Sequence, residues 1–184
     1  ARTDRNAKPN YRGLTFFLVD MKTPGITINP IINMAGHHDF NEVFLDDVRI
    51  PKENVVDGVN RGWYVAMSLL DYERTADLGY SIAGTLLNDI IEDARERGIF
   101  DSHLETRMAE LIAEVEVART IHYYVTWMQD QGKTPNYEAC MCKLLGYEAI
   151  QHVAEFGEEL YKHYGLLTEK SPLAPIYGRI ASCY

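Results

Sequence analysis

Long apolar runs are missing from this chain. Nothing in it approaches the ~18–20 consecutive apolar residues that a membrane-spanning helix needs, so no span is expected. A surplus of positive charge is missing too: 18 Lys and Arg stand against 27 Asp and Glu, a net charge of −9. Phosphate binding needs clustered Lys and Arg, so nucleic acid is not an expected partner. No block of like charges is long enough to form an interaction tail. Cysteine is scarce. Cys140, Cys142 and Cys183 are too few and too oddly spaced for a disulfide framework. Cys140 and Cys142 point to different sides of a helix, and no nearby His or Cys completes a zinc set. They read as reduced thiols in an intracellular protein, and the expected compartment is the cytoplasm of a bacterium or the mitochondrial matrix of a eukaryote.

Metal-ligand spacing is absent among His37, His38, His103, His122, His152 and His163, so no metal is expected and each reads as a surface or partly buried side chain. The Gly-rich phosphate loop of dinucleotide-binding proteins is absent as well, and Gly13, Gly25 and Gly36 read as hairpin punctuation. Residues 1–10 lack the apolar centre of a signal peptide. Without an initiator Met at one end or a helix cap at the other, both ends are expected to be cut from a longer chain.

What is present changes period once. Leu14–Asp20 is rich in aromatic and β-branched residues and reads as a strand. Thr23-Pro24-Gly25 suits a type II turn, Ile26–Pro30 an edge strand ending at the proline, and Asn41–Ile50 a strand with a bend at Asp46-Asp47. Three or four strands make a sheet too small and too open to stand alone. From Gly62 the pattern turns helical: Val65, Leu69, Tyr72, Ala76, Gly79, Ala83, Leu86 and Ile90 recur at three and four residues, predicting one helix to about Arg97. A second helix is expected over Ser102–Asp130, with Leu111, Val115, Ala118, either Ile121 or His122, and Val125 on one face. A third is expected over Asn136–Tyr164, and a fourth around Ala174–Tyr184. Long helices joined by short loops are antiparallel neighbours. The expected fold is mainly α: an antiparallel four-helix-bundle domain (59–184) preceded by a partial antiparallel β domain (1–58).

Glu73 is the sharpest candidate for chemistry. On a helix it shares a stripe with Ala66, Leu70, Tyr80 and Gly84, beside the core face. A carboxylate desolvated there, with Asp77 as a like charge one turn on, would be a useful base near neutral pH. The plain alternative is a solvated or Arg-paired surface carboxylate. Asp71 and Arg74 lie three apart and can meet as a local ion pair, or hold polar parts of a ligand beside Glu73.

Phe40–Pro51 resembles the end of the middle β domain of acyl-CoA dehydrogenases, and Gly62-Trp63 through Asp71-Tyr72-Glu73-Arg74 resembles the entry to their C-terminal helical domain. Gly13–Asp20, Met108-Ala109-Glu110-Leu111, Lys143-Leu144 and Tyr164–Leu167 fit neighbouring parts, so the resemblance runs over essentially the whole chain. It implies a dimeric or tetrameric flavoprotein, homo- or hetero-oligomeric. Such an enzyme takes hydrogens from Cα and Cβ of an acyl-CoA thioester and passes electrons to an electron-transfer flavoprotein. It further implies FAD as cofactor, Glu73 as the base in an Asp-x-Glu-Arg setting, and Asp71, Tyr72 and Arg74 along the CoA. Lys170 stands where many members carry a late carboxylate base. Where members carry a flavin-contacting Arg-x-x-Phe-Gly, this sequence has Arg97–Ser102, which leaves a second reading: a catalytically silent structural subunit of a heteromeric dehydrogenase that binds no flavin at its own site.

Overall fold

A computed structural model of the chain describes residues 1–34, 36–73, 79–99 and 101–183. Its contacts divide the chain into two units, Ala1–Leu70 and Asp71–Tyr184.

In the first unit β1 (Phe16–Phe17) pairs with β4 (Val55–Val56), and β2 (Ile26–Ile31) pairs with β3 (Phe40–Leu45), both antiparallel. Ile26 lies opposite Leu45 and Ile31 opposite Phe40. The single sheet of three or four strands expected above is therefore two separate ladders. Local chemistry accounts for the difference. The Leu18 N–H still donates to the Asn54 carbonyl at 2.9 Å, and the side chain of Asp20 then accepts the Lys22 N–H at 2.9 Å, an Asx turn that ends the expected strand Leu14–Asp20. The Thr23–Ile26 turn closes as predicted, with the Ile26 N–H donating to the Thr23 carbonyl at 3.2 Å and Gly25 at φ 92°.

The second unit is helical. α2 (Gly79–Arg97), α3 (Ser102–Asp130) and α4 (Tyr137–Tyr161) pack on one another, and the short α5 (Arg179–Cys183) packs on α4. Their apolar stripes meet in one core built around Leu86 and Ile90 of α2, Leu111 of α3, Val153 and Phe156 of α4, and Ile180 of α5. The chain is mainly helical with small antiparallel sheets toward its N-terminal end, the fold class expected from its periodicities.

α3 begins where the sequence places it because Asp101 caps it. The Asp101 carboxylate accepts the Leu104 N–H at 2.9 Å from an extended backbone, satisfying one of the first-turn donors that has no helical partner. Asp101→Ala is expected to cost ~0.5–2 kcal/mol, read as a lower thermal midpoint of the helical unit, while Asp101→Asn keeps most of it. At the far end of α2, Asp93 accepts both the Arg97 Nε–H at 2.7 Å and the Tyr161 hydroxyl at 2.6 Å. Burial first, then this bond, pushes the Tyr161 phenol well above its usual range.

Two helix bounds depart from the periodic pattern, and a third expectation runs through residues that are not described. The helix expected to run from Gly62 to Arg97 is described as α1 (Gly62–Glu73) and α2, and Ala76 of its stripe lies outside the described residues. The third helix ends at Tyr161, where Lys162 turns to φ 53°. The fourth is cut to the five residues of α5 by a 3-10 turn, Pro175–Gly178, in which Ile176 and Tyr177 adopt left-handed backbone.

Candidate active site

α1 is anchored at its first residue. The Gly62 N–H donates to the Leu14 carbonyl at 2.7 Å. A Cβ on Gly62 would lie 2.5 Å from the Phe16 nitrogen, so only glycine lets the helix leave the ladder this closely. A buried hydroxyl fixes the approach: Thr15 Oγ1 accepts the Asn60 N–H at 2.8 Å and lies 2.6 Å from Thr3 Oγ1. The Trp63 ring packs on Tyr11 with centroids 5.4 Å apart.

The other end of α1 carries the candidate residues. Asp71 is half-buried, and Tyr72 and Glu73 are exposed. At 100° per residue, Asp71 and Glu73 point to nearly opposite sides of the helix. They can serve one ligand only by flanking it, not by meeting at one atom. On α1 itself, the Glu73 side is continued by Leu70 and Leu69, both of them exposed. Within α1, Glu73 is thus exposed rather than enclosed by its own stripe. Arg74 and Asp77, the other charged groups expected here, lie outside the described residues.

In the helical unit, a groove of about 230 Å³ lies between α2 and α3, lined by Tyr80, Gly84, Thr85, Ile112 and Val115. Arg119 on its rim is held by a close pair with Glu116. The end of α2 and the start of α3 are tied within the helical unit. Arg97 is bound to Asp93 and lies 5.8 Å above the Tyr161 ring, and Asp101 caps the helix. Among the described residues, no group of three or more His, Cys, Asp or Glu side chains could hold a metal ion, and no helix is long and apolar enough to cross a membrane.

One cluster escaped the sequence reading. His122 is buried against Tyr80 and Cys142. The signal was present but ambiguous, since Ile121 and His122 compete for the same place in the α3 stripe.

Known proteins resemble this arrangement. Residues 60–182 match the family model described as acyl-CoA dehydrogenase, C-terminal domain. Acyl-CoA dehydrogenase FadE34 of Mycobacterium tuberculosis is 33% identical over 171 residues, which are 93% of this chain and 24% of that protein. Among solved structures, the Tcur3481-Tcur3483 steroid ACAD superposes with a TM-score of 0.88 at 25% identity, over 98% of this chain and 47% of the other. The glutaryl-coenzyme A dehydrogenase glutaryl-CoA complex gives 0.84 at 27% identity, over 99% and 48%. The chain spans from about a quarter to about half of the length of the curated relatives it matches.

Proposed function

The chain belongs to the acyl-CoA dehydrogenase family, and from that premise we propose that it is part of an enzyme that dehydrogenates an acyl-CoA thioester between Cα and Cβ, with Glu73 as the base. One observation carries the reading: α1 presents an exposed carboxylate, Glu73, beside exposed Leu69 and Leu70, on a helix whose origin is locked by Gly62. A base must reach its substrate, and an apolar flank gives an acyl group something to lie against. Glu73 takes the α-proton, and the electrons of that C–H bond form the new double bond as hydride leaves Cβ. Asp71, Tyr72 and Arg74 are assigned to the CoA side, where hydroxyl and charged groups bind the pantetheine and nucleotide.

The family uses FAD, which accepts the hydride. Near the turn between α2 and α3, Arg97 and Asp101 are engaged within the chain, and Phe100 lies outside the described residues. No step is assigned to flavin-binding residues here. Residues 1–58 are read as part of a middle β domain and 59–184 as the helical domain. An electron-transfer flavoprotein is the proposed acceptor, and an oligomer of like or unlike subunits the proposed assembly. The apolar groove of about 490 Å³ between α3 and α4, lined by Val117, Ile121, Tyr124, Met141 and Leu145, supports an assembly surface. The commitment of Arg97 and Asp101 favours a second reading, a silent structural subunit of a heteromeric enzyme with no flavin of its own.

Solvent exchange separates the two. The full-length protein, given a saturated acyl-CoA in D2O without an electron acceptor, is expected to exchange the α-hydrogen, and Glu73→Gln to abolish the exchange. Exchange at an undiminished rate in Glu73→Gln would remove Glu73 from the mechanism, and no exchange in the parent protein would favour the silent subunit.

A further inference from the structure

Three helices meet at the first turn of α2, and their meeting point is polar. His122 of α3 is 8% exposed and Cys142 of α4 is 5% exposed. His122 Nδ1 lies 3.6 Å from Cys142 Sγ. Tyr80 of α2 covers the imidazole with ring centroids 4.8 Å apart, and Tyr123 stands 6.3 Å from both rings. Beside this cluster the helices touch backbone to backbone: a Cβ on Gly79 would lie 2.9 Å from the Gly146 carbonyl carbon. We propose that His122 is a proton-sensitive latch, its neutral imidazole holding the first turn of α2 against α3 and α4, and its protonation releasing that turn.

The groups around the imidazole decide the direction. From α2 it meets the Tyr80 ring, from α4 the Cys142 thiol, and on its own helix Tyr123. The nearest charged positions on the same helices are Arg119, one turn earlier on α3 and held by Glu116, Glu138, buried one turn before Cys142, and Lys143, next to Cys142 with its ammonium 5.5 Å over the Tyr147 ring. No described carboxylate bonds to the His122 ring, and Asp77 lies outside the described residues. Burying an imidazolium among these groups is costly. Burial accordingly lowers the His122 pKa from its ordinary 6.5. The opened state, with an ordinary histidine, takes up a proton as pH falls through 6.5 while the closed state does not. The closed turn is therefore at full stability above 6.5 and loses it progressively below. The latch operates whether or not Glu73 is the base.

Hydrogen exchange on the full chain tests this, comparing about pH 7.5 with about pH 5.5 after correction for the intrinsic rate. Opening of the Gly79–Ile82 turn is expected to rise by up to about tenfold per pH unit below 6.5, with Leu86–Ile90 unchanged. His122→Phe keeps the ring against Tyr80 and is expected to erase that response. An undiminished response in His122→Phe, a wild-type response spread evenly over α2, or tighter closure at low pH would each overturn the latch. Should His122→Phe fail to fold, an NMR titration of the parent chain decides: the His122 ring is expected to titrate below the ordinary histidine value of 6.5, with the Tyr80 ring following it. Titration at the ordinary value with a silent Tyr80 would also overturn it.

Discussion

Glu73→Gln is expected to lower turnover of the assembled, flavin-loaded enzyme by about 10²–10⁴-fold with little change in KM. Glutamine keeps the length, the volume and most of the hydrogen bonding of the side chain, but it cannot take a proton. The loss therefore falls on the chemical step. Glu73→Asp keeps the charge and withdraws it by one methylene. A carboxylate misplaced by ~1 Å costs on the order of 10²-fold, so this variant should fall between the parent and Glu73→Gln. The neighbours provide the contrast. Asp71 is half-buried and faces nearly the opposite side of α1, and Tyr72 is exposed between the two. Asp71→Asn and Tyr72→Phe should raise KM for the CoA thioester and leave most of kcat. Steady-state kinetics on the four variants makes the assignment. Equal turnover of Glu73→Gln and the parent, with flavin bound elsewhere in the assembly, is the signature of the silent-subunit reading.

The helices were more legible in the sequence than the sheet, and Glu73 could be singled out as a candidate where its surroundings could not be read. α3 runs over the expected Ser102–Asp130 because both of its ends are written in local chemistry: Asp101 caps the start, and Gly132, at φ 69°, follows the end. The ladders were misjudged because a strand pattern says which residues suit a pleated surface and not which strand they pair with. Asp20 and Pro30 look alike as strand endings, yet Asp20 turns the chain out of its ladder while Pro30 stays inside β2 opposite Asn41. The shortened fourth helix was beyond local rules. Nothing about Ile176 or Tyr177 announces left-handed backbone, which β-branched and bulky residues avoid. It is imposed where the Gly178 backbone closes onto Thr168 and Glu169, leaving no room for a Cβ. His122 shows the same limit from the other side. Periodicity put an apolar and a polar residue in competition for one place, and only the approach of Gly79 to Gly146 and the packing of Tyr80 on the ring show that the histidine is inside.

Phe156→Ala should be among the most destabilising single changes in the helical unit. Phe156 is 1% exposed and belongs to the cluster that gathers Leu86 and Ile90 from α2, Leu111 from α3, Val153 from α4 and Ile180 from α5. Removing the ring forfeits its transfer from water and leaves a cavity that helices packed on several sides cannot collapse into. The expected cost is ~3–5 kcal/mol, which for a chain of this size lowers the thermal midpoint by on the order of 10 °C. Phe156→Leu fills part of the hole and should lose roughly half as much. Phe40→Ala is the matched control: the same truncation in β3, at a residue 62% exposed, is expected to stay within about 0.5 kcal/mol. Differential scanning calorimetry on the three variants reads the difference directly, because the helical core carries the affected transition. Were Phe156→Ala to shift the midpoint no further than Phe40→Ala, the α2–α3–α4 core would not be the seat of stability. The anchoring of α4, on which both Gly146 and Cys142 ride, would then have to come from elsewhere. With the core intact, α4 is the fixed wall against which the first turn of α2 closes, so a lowered midpoint in Phe156→Ala should come with faster exchange at Gly79–Ile82 as well.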